Sequence, residues 1–314
     1  MAVRDDLQLA RELRMEKTVA PARPADPMIA VGAGKSVKAA DIVMGLAREL
    51  NTDKVELPGF PDIVARLHNV LADEHAAAKD VVKLVAREPA LSARLVQLAN
   101  SAAFNRSGRE VSDLKAAINS LGFNMVRSQA TAFAMRQMEQ QEWLQPIRPV
   151  LAEIWRASNS VAALSFAVAR QVPGVQADEA MATGLFHLIG KLYLFARARR
   201  DSIEPADIAD WEEALDEWHT TIARTILDHW RIPERVAEAV ENQNAIFDVD
   251  NRDLTPLARI LCAAKLHYRL RRSDPGEQPQ AEAALARIML NGQPFETLAQ
   301  AARAEMEATR AAMN

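Results

Sequence analysis

The sequence predicts an all-α protein, on three observations. The composition leans to Ala, Leu, Arg and Glu, all strong helix formers. Apolar residues recur at spacings of three and four along most of the chain, whereas the period-two alternation of a strand is hardly visible. Residues 61–138 read as a run of short helices joined by tight turns. A chain of 314 residues can bury a substantial core as one large or two modest domains.

Residues 4–17 carry Leu7, Ala10, Leu13 and Arg14, the pattern of a short amphipathic helix. From Thr18 to Ser36 the chain turns to linker chemistry, with Pro21, Pro24, Pro27, Gly32 and Gly34. GAGKS within it lacks the rest of a phosphate-binding loop, because Ile29 stands where the pattern needs glycine and the prolines forbid a preceding strand. Val37, Ile42, Leu46 and Leu50 resume a helical pattern.

A helix then begins near Pro61, with Ile63, Leu67, Val70 and Leu71 as its core stripe. Val81, Val82, Leu84 and Val85 form the next, with Asp80 as its expected N-cap. Pro89 opens a third, buried through Leu91, Leu95, Val96 and Leu98. Ser112 is positioned to cap a helix through Leu114, Ile118 and Leu121 that Gly122 closes, and Phe123 to Met138 is a further helix.

The second half predicts longer helices. Leu151, Ile154, Trp155, Ser158, Val161, Ala162, Ser165, Val168 and Ala169 mark one face, with small residues that admit a close neighbour. Asp178 to Phe195, DEAMATGLFHLIGKLYLF, reads as one helix placing Gly184, His187, Leu188 and Lys191 on a single face. Each internal glycine costs roughly 1 kcal/mol against alanine, so close backbone approach is expected there. Trp211, Leu215, Trp218, Ile222, Ile226 and Trp230 give the next helix an aromatic seam ending near Arg231. Pro233 starts another that faces Val236, Ala239 and Val240 inward. Leu257, Ile260, Leu261, Ala264 and Leu266 describe one more, and Ile288, Leu290, Phe295 and Leu298 two further helices packed on the bundle.

The formal charge of −4 provides no global attraction to nucleic acid or anionic membrane. Cys262 is the single cysteine, which excludes an intrachain disulfide framework and cysteine-rich metal sites. Its apolar setting, ARILCAAKL, reads as buried core, with a reactive thiol as the alternative. No stretch reaches the roughly 18 to 20 apolar residues of a membrane span, and the first residues lack a signal-peptide pattern, so a cytoplasmic location is expected.

Several motifs arrive in order over roughly residues 50–248: LPGFPDIVARL, REPALSARLVQLANSAAF, AAINSLG followed by Arg127, IWRASNSVAALSFAVAR, GLFHLIGKL, WHTTIARTILDHWRIPERV and AVENQNA. Together they resemble the HDOD domain, the HD-related output domain of bacterial signalling proteins. GLFHLIGK is similar to GLLHDIGK of the HD phosphohydrolases, in which a His-Asp pair grips a metal. The resemblance implies an HD-like helical bundle, with residues 1–36 as N-terminal helix and linker, 37–250 as the HDOD-like domain and 251–314 as a C-terminal helical extension.

It also implies where ligands would stand. Ala157 matches an enzymatic histidine, Leu188 matches the metal-binding aspartate, and the downstream His-His pair falls near Asn242 and Gln243. Only His187 and His219 keep imidazoles, and leucine and alanine offer no lone pair to a cation. No catalytic residue, metal or cofactor is therefore expected. The matched positions, His187, Lys191, His219, Gly184, Leu188, Ala157 and Asn242, outline a degenerate pocket that a small ligand could occupy. Against that, a histidine on an apolar helix face is most often a core residue, so His187 reads first as one whose ring N–H bonds a carbonyl or serine, and Lys191 as a solvated lysine favoured by a helix C-terminal half.

The implied function is a regulatory module that binds a signalling protein partner. Two alternatives remain beside it: a phosphohydrolase with substituted ligands, and a DNA-binding regulator using helices over 78–109, where basic residues are in local excess. The second of these is weakened by the aliphatic face of the Leu91–Asn100 helix.

Overall fold

The computed structural model describes residues 57–313 apart from 74–76, 106, 202–211, 246–253, 275 and 277. The expected helix over 4–17, the linker with GAGKS, the helix over 37–50, both proposed domain boundaries, Trp211 and the Leu215 side chain lie outside the described residues. What is described is all-α, with fourteen α-helices, one 3-10 helix and a two-stranded hairpin.

The first half wraps five helices around one apolar centre: α1 (Asp62–Ala72), α2 (Ala78–Val85), α3 (Pro89–Ala99), α4 (Leu114–Leu121) and α5 (Phe123–Met138). Val64, Leu67, Val81, Val85, Leu91, Leu95, Ile118 and Val126 fill it. Two caps differ from expectation. Asp113, adjacent to the first helical residue, accepts from the Ala116 N–H at 2.8 Å and displaces Ser112 from that role. Asp80 sits inside the first turn of α2, where it complements the helix dipole, and Ala77 is the N-cap with no side-chain bond. Gly122, at φ 79°, makes the sharp step between α4 and α5.

In the second half a 3-10 turn (Glu142–Ile147) leads into α6 (Arg148–Ala169), the central helix, which packs against α7 (Ala177–Phe186), α11 (Pro256–Leu270) and α14 (Arg303–Met313). Its small buried residues, Ala157, Ser158, Ala162 and Ser165, explain the closeness. Around it stand α8 (Ile189–Arg200), α9 (Glu212–His229), α10 (Glu234–Glu241), α12 (Pro279–Arg287) and α13 (Phe295–Ala301). Among the described residues no helix is long and apolar enough to cross a membrane.

The stretch from Asp178 to Phe195 is two helices, not one, with the break at His187 and Leu188. Two side chains take over backbone oxygens that an unbroken helix would use: His187 Nδ1 bonds Gly184 O at 2.7 Å, and Gln243 Nε2 donates to His187 O at 2.9 Å. The ladder restarts with the Leu192 N–H on Leu188 O.

The glycines on either side of the break set what each half-helix packs against. A Cβ at Gly184 would collide with the Ala162 backbone of α6, and one at Gly190 with the His219 carbonyl of α9. Each half-helix is thus pressed onto a different neighbour.

The tail also departs from expectation. It holds three helices and a hairpin pairing Leu290 with Gln293, so Ile288 and Leu290 lie at the hairpin rather than in a helix. Its two-residue turn, Asn291 (φ 49°) and Gly292 (φ 75°), needs left-handed backbone at both positions, which Asn-Gly supplies. The last helix is stitched to both halves, through Arg94 on the Met313 carbonyl and Arg170 on Glu305.

Aromatic stacking joins the halves as well. Trp230, just past α9, stacks on Phe60 at 5.2 Å and on His68 of α1 at 4.8 Å between centroids. Trp230→Ala is expected to lower stability by about 3–5 kcal/mol, read from urea unfolding. Gly190→Ala, which adds one methyl against backbone, is expected to cost about 3 kcal/mol by the same measurement.

Candidate functional site

The site lies where the break in the α7–α8 segment meets α9, α10 and α11. His187 is buried, and because a carbonyl can only accept, its bond to Gly184 O fixes the tautomer with the proton on Nδ1. The Nε2 lone pair is left to face elsewhere. His219, on α9, is equally buried, and its Nδ1 has no partner among the described residues.

Lys265 of α11 completes the arrangement. Its ammonium donates to Gln243 Oε1 at 2.8 Å, to Asn244 Oδ1 at 2.6 Å and to the Gln243 carbonyl at 3.4 Å. Gln243 is buried and in turn holds the His187 carbonyl and that of Val240. Cys262, one turn before Lys265, is buried with its Sγ 3.3 Å from the Gln243 carbonyl, so the core reading of this cysteine holds.

The electrostatics follow from burial and charge. Burial holds the His187 imidazole down to about 3; the Lys265 ammonium adds to this, the Gly184 bond opposes it, and His219 and Lys191 contribute less. His219 is also held at about 3, by burial and then by Lys265 and Lys191. Both rings are neutral, in a setting that two ammoniums already make positive.

A metal, as an HD-type enzyme would use, does not fit this donor set. Among the described residues no three His, Cys, Asp or Glu side chains converge. Leu188 is half-buried and packs against the core, and Ala157 is buried on α6. A divalent cation would meet two imidazoles, no carboxylate and the repulsion of Lys265 and Lys191. The retained frame is a neutral histidine pair under an ammonium.

The predicted pocket residues are brought together only in part. His187, His219 and Lys191 lie within electrostatic reach of one another. Gly184 contributes its carbonyl, while its Cα face serves the α6 contact. Asn242 caps α10 and spends its amide on Glu238 O, so Gln243 is the member of that pair that turns inward. Lys191 falls in the first turn of α8, because the helix restarts at Ile189; the argument from a helix C-terminus is therefore reversed for it.

Lys265 was missed by sequence reasoning, although a lysine one turn on from Leu261 and Cys262, between buried Ala264 and Leu266, was a usable signal. His68 was missed too. It occupies the stripe position one turn after Val64, is fully buried, and its Nε2 lies 3.1 Å from Thr131 Oγ1. Burial and then the Arg127 charge hold it at about 3.

The basic clusters are engaged in ion pairs. Arg224 binds Asp228 at 2.8 Å, Glu234 at 2.7 Å and Glu241 at 3.3 Å, Arg235 binds Glu179 at 2.6 Å, and Arg197 binds Asp201 at 3.0 Å. On α3, the helix a DNA reader would present, the exposed positions include Ala90, Ala93 and Gln97, and Arg94 is committed to α14.

Comparisons with known proteins bear on the family and the fold. The model of the HDOD domain matches residues 57–246, more than half of the chain. A crystal structure from Shewanella amazonensis SB2B, of a protein provisionally named a metal-dependent phosphohydrolase, aligns with a TM-score of 0.67 at 23% identity over 88% of this chain and 100% of that one. An HDOD domain protein of unknown function from Geobacter sulfurreducens aligns with a TM-score of 0.53 at 18% identity, over 87% and 98%. A protein from Marinobacter aquaeolei VT8, provisionally named for signal transduction, aligns with a TM-score of 0.50 at 18% identity, over 90% and 67%. A search of curated proteins returns no match.

The three imidazoles held near 3 make stability depend on pH in a definite direction. An unfolded chain binds their protons near 6.5, so the unfolded state takes up protons first as pH falls. Their contribution is complete above about 6.5 and is lost on acidification toward about 3, on the order of 1 kcal/mol per pH unit per histidine. Urea midpoints should therefore fall steadily between about pH 7 and about pH 5.5. A flat profile would contradict neutral burial.

Proposed function

The chain belongs to the HDOD domain family, and we propose that it is a non-catalytic regulatory module of signal transduction that works by binding another protein. The observation that carries this reading is the Lys265 ammonium bonded to Gln243, which holds the His187 carbonyl, beside two neutral imidazoles and Leu188. A hydrolytic metal must be gripped by several donors and must lower the pKa of a water. Among the described residues the donors here number two, beside two ammoniums. Binding, in contrast, needs only a rigid scaffold, and the two-sided packing at Gly184 and Gly190 supplies one.

A phosphohydrolase with substituted ligands is the competing reading. It has in its favour the pair His187 and His219, with His187 in the tautomer that leaves Nε2 able to donate a lone pair. The name of the Shewanella protein points the same way, at an identity that shows the fold alone.

Metal analysis separates the two. After dialysis the purified protein should hold far less than one Mn, Fe or Zn per chain, and should not turn over a phosphate ester when these ions are added back. Stoichiometric retained metal with hydrolysis that disappears in both His187→Ala and His219→Ala would establish the enzyme instead. A pull-down from the native cell then identifies the partner.

A further inference from the structure

A second concave site lies on the far side of α6, away from the histidine pair. It is a cleft of about 580 Å³ between α6, the end of α11, α13 and α14. Its polar wall comprises Arg156, Tyr268, Arg271, Arg272, Arg303 and Arg310. Two further lining residues, Glu296 and Glu307, are already engaged, by His267 at 3.1 Å and by Arg303 at 3.0 Å.

The charges around this cleft do not balance. Arg156 and Arg272 share one carboxylate, Glu153, at 3.0 and 3.2 Å, and the Tyr268 hydroxyl donates to the same group at 3.1 Å. Arg271 and Arg310 are exposed and have no carboxylate partner among the described residues. Five guanidiniums thus face three carboxylates in a chain whose overall charge is −4. Concentrating positive charge in a concave wall against the sign of the whole molecule creates a focused field for an anion.

The chemistry narrows what that anion is. Guanidinium forks match phosphate oxygens in pairs, and Arg271, just past the end of α11, and Arg310, on α14, line the same cleft, so they can bind one multiply charged group together. Leu164, Ala299 and Met306 add an apolar wall for an organic moiety. The volume falls in the range of small-molecule pockets, which favours a compact ligand over an extended acidic peptide. We infer that this cleft is a binding site for a small organic phosphate bearing two or more phosphate groups. The inference concerns a surface separate from the histidine pair and is independent of the regulatory reading.

The test is calorimetry on the full chain with inorganic pyrophosphate and with ATP, without divalent metal, at low and at high ionic strength. The expected result is saturable one-to-one binding of at least one probe that weakens with salt. Arg271→Ala and Arg310→Ala should each reduce affinity by about tenfold or more, and Arg271→Lys by less, since it keeps the charge and loses the fork. Both residues are exposed, so the thermal midpoint of the unliganded variants should match that of the parent. The inference is overturned if neither probe saturates at millimolar concentration, or if both alanine variants bind as the parent does. It is also overturned if a polyglutamate peptide or a single-stranded oligonucleotide binds the cleft more tightly than both probes.

Discussion

Two places where backbone meets backbone govern this structure. At Gly184, α7 lies against the Ala162 backbone of α6; at Gly190, α8 lies against the carbonyl of His219 in α9. No side chain fits at either contact, and five residues separate them. The two contacts hold α7 and α8 to different neighbours, and the chain breaks between them at His187 and Leu188. The oxygens freed by that break are bound by an imidazole and a carboxamide, so the break, the tautomer of His187 and the inward position of Gln243 are tied together by the same hydrogen bonds.

Sequence periodicity made most of the fold legible because most helices bury a regular stripe. Phe123–Met138 was read to the residue, and the central helix through Trp155 and Ser165 was evident from its small side chains. The failures share a cause. The break at His187 and the inward turn of Gln243 are set by contacts far away in sequence, and no local window contains them. The cap at Asp113 turned on a one-residue offset between two good capping residues, and the hairpin at Asn291-Gly292 carried a local signal that the helical context obscured.

The candidate site was legible in its losses more than in its gains. Leu188 and Ala157 could be recognised as non-ligands from residue type alone, and His187 as a core histidine bonded to a carbonyl was one of two open readings. The charge that now dominates the site went unconnected to it, because Lys265 comes from a helix some eighty residues downstream. Lys191 changed meaning for a related reason: a residue expected near the end of one helix lies at the start of the next, where the backbone dipole opposes an ammonium.

The grip on Lys265 has one further consequence. An ammonium carried on a side chain and held by the oxygens of Gln243 and Asn244 is covalently part of the chain and cannot leave the site as a bound cation can. The positive potential at the centre of this bundle is therefore written in the gene and is indifferent to chelators and to the ion supply of the cell.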